Sequence, residues 1–114
     1  MINMTSNVAL MALPGRDCYT AAKGGVASMT RSMAAEYASE KIRVNAIAPS
    51  AVMTEGTEEF FGAKLEKAKE VIASGQTLQR NLETADLAGS VIYLAGDASK
   101  FVTGQTIMVD GGTV

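Results

Sequence analysis

Apolar and polar positions change period several times along this chain, and those changes divide it into elements. The first six residues, MINMTS, read as the end of a β-strand, and residues 7–17 hold a Pro14-Gly15 turn signal and read as a loop. From Cys18 to about Ser39, Ala22, Val26, Met29, Met33 and Tyr37 recur at spacings of four, three, four and four, an amphipathic helix with Asp17 as its N-cap. Gly24 and Gly25 weaken that helix by about 1 kcal/mol each relative to alanine, and they point to a close approach by another backbone. Residues 42–48, IRVNAIA, alternate as a strand that Pro49 ends. A charged helix is expected over residues 57–74, with Phe60, Phe61, Leu65, Ala68, Val71 and Ile72 as its apolar positions. Another runs from Thr84, as N-cap, to about Gly96, with Leu87, Val91 and Leu94 on one face. Gln105 to Val109 is a last short strand, closed by Asp110-Gly111-Gly112.

Strands that alternate with long helical connections predict parallel pairing through right-handed crossovers, an α/β layered fold. Three parallel strands make a small sheet, so at least one edge is expected to be exposed unless another chain or further sequence covers it.

Composition narrows the function. The chain has 114 residues, 47% of them hydrophobic and 19% charged, which is globular and sufficient for one domain. A net charge of −2 gives no electrostatic case for nucleic acid or an anionic membrane as partner. The single cysteine, Cys18, cannot form an intrachain disulfide, so a reducing cytoplasm is the expected compartment. No apolar run approaches the roughly 18 residues of a membrane span, and no basic residue precedes the apolar part of the N-terminus as a secretory signal would require. With no histidine anywhere, a Ser-His-Asp triad and His-ligated zinc are excluded, and no metal site is expected. Proton transfer falls to Tyr, Lys, Cys, Asp or Glu.

Tyr19 and Lys23 lie four residues apart, on one face of the first helix's opening turns. A free phenol ionises near pH 10, and an ammonium and the positive end of a helix both favour negative charge on its oxygen. The pair alone also fits a half-buried packing tyrosine beside a solvated lysine. Its surroundings add weight. Ser6 ends the first strand and Pro49 to Thr54 follow the second, so both gather at the carboxyl edge of the sheet, where open α/β folds bind ligands.

Ser6, the YTAAK of Tyr19 to Lys23, RVNAIAPSAVMT from Arg43 to Thr54, TADLAGSVIYLAGD from Thr84 to Asp97 and FVTGQTIMVDGG from Phe101 to Gly112 occur in order along nearly the whole chain. Together they resemble the C-terminal half of the short-chain dehydrogenase/reductase family. The resemblance implies the C-terminal part of a doubly wound, Rossmann-like parallel sheet of about three strands with flanking helices. It implies NAD(P)-dependent interconversion of a ketone and a secondary alcohol, with Tyr19 as general acid/base. Lys23 would stabilise the phenolate and hydrogen-bond the nicotinamide ribose, and Ser6 would hold the substrate oxygen. Val52, through its backbone, and Thr54 would contact the carboxamide, in a loop shaped by Pro49. The partners implied are a small carbonyl or alcohol substrate and further copies of the chain. The Tyr–Lys spacing of four favours keto/alcohol chemistry over enoyl reduction, while oxoacyl, sugar and polyol substrates, and NAD against NADP, all stay open.

Asn45 reads as structural, Asp110 to Gly112 as a strand-ending turn, and Cys18 as a packing residue. The helix from Glu58 to Lys69 reads as a solvated face, in a region that covers the substrate in the family. Two departures stand out. Ser50 occupies a position where the family usually has glycine, costly if a positive φ is needed there. No G-x-x-x-G-x-G turn for a pyrophosphate is present, and the expectation is a truncated chain holding the catalytic half without the dinucleotide-binding half. The competing expectation is a non-catalytic α/β fragment that only packs or associates.

Overall fold

A computed structural model describes residues 1–113 and is organised around one buried strand. That strand, β2 (Asn45–Pro49), is buried at every position. It pairs in parallel with β1 (Ile2–Met4), in the register Ile2 to Asn45, and with β5 (Thr106–Val109), in the register Ala46 to Thr106. The sheet order is β1-β2-β5, three parallel strands with β1 and β5 at the edges, as the alternation predicts. A pair of two-residue strands, β3 (Val52–Met53) and β4 (Leu82–Glu83), forms a separate parallel ladder that no sequence period marks. The helices are α1 (Asp17–Glu36), α2 (Glu55–Phe61), α3 (Leu65–Ser74) and α4 (Thr84–Ala95).

Several boundaries move. The first strand stops at Met4, the Thr5 N–H adds one more bond to the Ile47 carbonyl at 2.9 Å, and Ser6 is already outside the ladder. Pro49 is the last residue of β2 rather than the residue beyond it, because the Ser50 N–H donates to the Val109 carbonyl at 3.2 Å and carries the ladder past the missing proline donor. Asp17 does not cap α1. The N-cap position is Arg16, without a side-chain hydrogen bond, and Asp17 is the first helical residue.

The face of α1 turned to the sheet is offset from the predicted stripe. Thr30 and Ala34 are its buried residues, and Thr30 Oγ1 accepts from Asn3 Nδ2 of β1 at 3.1 Å. Val26, Met33 and Tyr37 are half-buried, whereas Ala22 and Met29 face outward. Among the described residues, apart from the helix's own nearby backbone, nothing lies within 4 Å of a Cβ built on Gly24 or Gly25, so the expected close approach by another backbone does not occur there.

The single helix expected over 57–74 is two. Gly62, at φ 52°, ends α2, and a 3-10 turn over Gly62–Lys64 leads into α3. Glu83 rather than Thr84 caps α4, through a capping box with Asp86. Arg80 grips Asp86 with two hydrogen bonds of 2.7 and 2.8 Å. Arg43 secures the other end of α4, donating to the Leu94 and Gly96 carbonyls at 2.9 and 3.3 Å and to the Val102 carbonyl at 3.0 Å. Asn45 is structural, as expected. Its Nδ2 donates to the Val102 carbonyl at 2.9 Å and its Oδ1 accepts from the Gln105 N–H at 3.0 Å.

The hydrogen bonds from Arg80, then the one from the Glu83 backbone N–H, hold the Asp86 carboxyl down, from 3.8 to about 2. A folded-state value below the unfolded one gives stability that is present above about pH 4 and is lost as pH falls through about 2. Asp86→Asn is therefore expected to lower the melting temperature at pH 7. The gap from the unaltered chain should close between pH 4 and pH 2 in a melting series, and a gap that is independent of pH would contradict the assignment.

Candidate active site

The carboxyl ends of β1 and β2 and the start of α1 converge on one side of the sheet. After β1 the chain turns through Ser6, whose extended backbone and side chain cap the 3-10 turn Asn7–Ala9, with Oγ accepting from the Val8 N–H at 3.4 Å. Two bonds then fix α1 against this end of β1. Thr5 Oγ1 donates to the Lys23 carbonyl at 2.6 Å, and Lys23 Nζ donates to the Met4 carbonyl at 3.2 Å. Lys23 Nζ lies 5.9 Å from the centroid of the Tyr19 ring, so the two side chains share a face, and Tyr19 is 47% exposed.

Tyr19 and buried Ser6 line a common cleft of about 440 Å³, within the size range of small-molecule sites. Ser50 and Ala51, after β2, extend its floor, and Phe61, Val71 and Ile72 of the α2–α3 pair form an apolar cover. Lys23, Pro49, Val52 and Thr54 do not line it. Pro49 ends β2 and Val52 pairs with Leu82 in the small ladder. Thr54 Oγ1 caps α2 by accepting from the Thr57 N–H at 3.2 Å. The sequence-derived residues therefore fall into two neighbouring groups, Ser6 and Tyr19 on the cleft and Pro49, Val52 and Thr54 along the exit from β2, with Lys23 beside the tyrosine. A second cleft, of about 530 Å³, is lined by Arg80, Asp86 and Asp110, and neither Ser6, Tyr19 nor Lys23 reaches it.

Ser50 carries no conformational penalty. Among the described residues only Lys41 and Gln79 combine a side chain with positive φ. Ser50 is buried, and its Oγ accepts from Gln76 Nε2 at 3.0 Å. Positive φ near the cleft falls on glycine instead, at Gly111 and Gly112, with φ 61° and 83°. A Cβ on Gly111 would meet Gln76 Oε1 at 2.6 Å, and one on Gly112 would meet Thr77 Oγ1 at 2.7 Å. The strand-ending turn thus packs directly on the segment after α3, and the Leu78 N–H donates to the Gly111 carbonyl at 3.0 Å. Gln76 and Arg16 line the cleft and escaped the sequence reading, since no motif or period singles them out. Cys18 is exposed and free rather than packed.

An open parallel sheet with a Tyr–Lys pair at its carboxyl edge defines a class, and the whole chain matches it. The chain belongs to the short-chain dehydrogenase/reductase family, the model described as Enoyl-(Acyl carrier protein) reductase matching residues 1–114. The 3-oxoacyl-[acyl-carrier-protein] reductase FabG of Thermotoga maritima is 40% identical over 114 residues, which is 100% of this chain and 45% of that protein. FabG of Staphylococcus epidermidis is 40% identical over 112 residues, 98% of this chain and 44% of the relative. Among solved structures, a 4-hydroxyisoleucine dehydrogenase complexed with NADH superposes with a TM-score of 0.88 at 36% identity, covering 99% of this chain and 46% of that one. A putative gluconate dehydrogenase from Agrobacterium tumefaciens gives 0.89 at 32% identity, covering 98% and 44%. The chain thus spans less than half the length of these relatives.

Replacing Ser50 by glycine leaves the buried Gln76 amide without its partner. Ser50→Gly is expected to cost about 1–3 kcal/mol of unfolding free energy in a urea titration, the range for a stranded buried donor. No loss would mean that the Ser50–Gln76 bond contributes nothing.

Proposed function

We propose that these residues form the proton-transfer half of an NAD(P)-dependent oxidoreductase interconverting a ketone and a secondary alcohol. The observation that carries this reading is the shared cleft of Ser6 and Tyr19, with the Lys23 ammonium 5.9 Å from the Tyr19 ring. In the reducing direction the Tyr19 phenol gives its proton to the substrate oxygen, and in the oxidising direction it takes the proton back. Ser6 donates a hydrogen bond to that same oxygen. The adjacent ammonium favours the negative oxygen left on Tyr19.

The residues present fit the nicotinamide end of the cofactor. An ammonium has three donors, and the Met4 carbonyl takes one from Lys23, leaving two for ribose hydroxyls. Val52 and Thr54, after Pro49, would hold the carboxamide. When bound, the nicotinamide supplies or accepts the hydride. No glycine-rich turn of the kind that cradles a pyrophosphate occurs among the 114 residues, so only the nicotinamide end is assigned to this chain.

The Tyr–Lys spacing of four and the two 3-oxoacyl reductase relatives favour a keto substrate over an enoyl one. Outward apolar side chains on α1 and α4, Met29 and Ile92, and nearby Phe101, support association with further copies of the chain.

The test replaces the C-terminal half of the Thermotoga maritima reductase with this chain and assays 3-oxoacyl reduction with NADH and with NADPH. The fusion is expected to turn over, and Tyr19→Phe to lower its turnover roughly 10²-fold or more with an unchanged melting temperature. Near-normal turnover in that variant would remove Tyr19 from the chemistry. A folded but inert fusion would favour a non-catalytic fragment.

A further inference from the structure

Arg16 is the one charged side chain among the described residues that line the cleft. It is exposed, its guanidinium sits 5.8 Å from the Phe60 ring centroid, and no carboxylate among the described residues forms an ion pair with it. Among the described residues, the exposed ring contact is the one side-chain interaction that stabilises this placement, and at an exposed site it is a weak one. Arg16 holds the N-cap position of α1 without a side-chain cap bond, where the helix end is itself positive and disfavours a cation. Asp17 follows it in the chain but does not line the cleft. The rest of the wall is largely apolar and includes Met11, Leu13, Phe61, Val71 and Ile72.

We propose that Arg16 makes the cleft selective for a substrate that carries an anionic oxygen group, a carboxylate or a phosphate, on an apolar body. The proposal rests on reading this cleft as the substrate site. The guanidinium fork has five donors and no acceptor, which suits a planar carboxylate or a phosphate face. Phe60 restrains the fork through its ring face, reducing the freedom lost on binding. Arg16 and Tyr19 line the same cleft, so one bound molecule can meet both, its anionic group at the guanidinium and its carbonyl at the phenol.

The test is calorimetric binding of hexanoate, hexyl phosphate and neutral hexanol to the full chain, which needs no cofactor or turnover. At least one of the two anions is expected to bind about tenfold more tightly than hexanol, as a charge-assisted hydrogen-bonded contact does. Which of the two does so separates a carboxylate from a phosphate. Arg16→Gln should abolish the preference and Arg16→Lys should keep part of it. Lys100→Gln, which removes the same charge away from the cleft, should leave it unchanged. The preference should shrink with added salt. Equal affinity for hexanol, no binding of either anion, or a preference that survives Arg16→Gln would overturn the proposal. Tyr19→Phe is expected to retain the anion preference. An anion preference in a chain whose fusion tolerates Tyr19→Phe would fault the catalytic reading alone, and its absence beside a Tyr19-dependent fusion would fault the Arg16 proposal alone.

Discussion

The structure depends on burying β2 between two parallel neighbours. Val44, just before it, and Ala46 and Ile47 within it are wholly inaccessible, and Asn45 and Ala48 are nearly so. A strand buried on both faces cannot slip by one residue without exchanging its two sets of side chains, so its register is fixed. That register then fixes where β1 and β5 end. Since all three strands run the same way, their carboxyl ends gather along one edge, and the loops that leave them meet there. The polar residues of this segment serve the same strand. Asn45 and Arg43 bond the Val102 carbonyl from either side of Val44, and Arg43 also collects the last carbonyls of α4.

The cleft inherits its shape from that edge through a few short contacts. Small and polar residues, Thr30 and Ala34, bring α1 close to the sheet, and the Thr5–Lys23–Met4 bonds lock its first turns to the end of β1. On the far side, Gln76 ties the segment after α3 to Ser50 on the floor, and the same segment packs against Gly111 of the turn after β5. The apolar cover supplied by Phe61, Val71 and Ile72 is thus anchored at its C-terminal end to two strand ends of the central sheet.

Much of this was legible in the sequence, for a physical reason. Period and turn chemistry are local, so the parallel α/β order, the buried strand around Ile47, the Tyr19–Lys23 face and the glycine turn at Gly111–Gly112 could all be read from neighbours. The illegible parts depend on contacts between distant residues. The offset of the buried face of α1 follows from Thr30 meeting Asn3, 27 residues away, and not from its most hydrophobic stripe. The β3–β4 ladder is too short to carry a period. The break at Gly62 lies inside a helical pattern that continues on both sides of it. Ser50 looked like a strained substitute for glycine, because its benefit, a bond to Gln76, spans 26 residues. Arg16 carries no sequence signal, because Phe60, 44 residues on, and the cleft reach it only in the folded chain.

The two groups of motif residues are held by different parts of the fold. Tyr19, Lys23 and Ser6 are positioned by contacts internal to the described residues, in which the Met4 and Lys23 carbonyls accept and the Val8 N–H of the turn donates to Ser6 Oγ. Pro49, Val52 and Thr54 are positioned by different structure, the end of β2, the small ladder and the cap of α2. The first group needs no bound molecule to hold its geometry. In the second, Thr54 Oγ1 receives the Thr57 N–H at 3.2 Å and shares a 3.1 Å hydrogen bond with Thr57 Oγ1, so the first turn of α2 holds it in place. Under the proposed function, the residues that would move the proton are held by one set of contacts and those that would hold the cofactor by another, so the two tasks rest on separate parts of the fold.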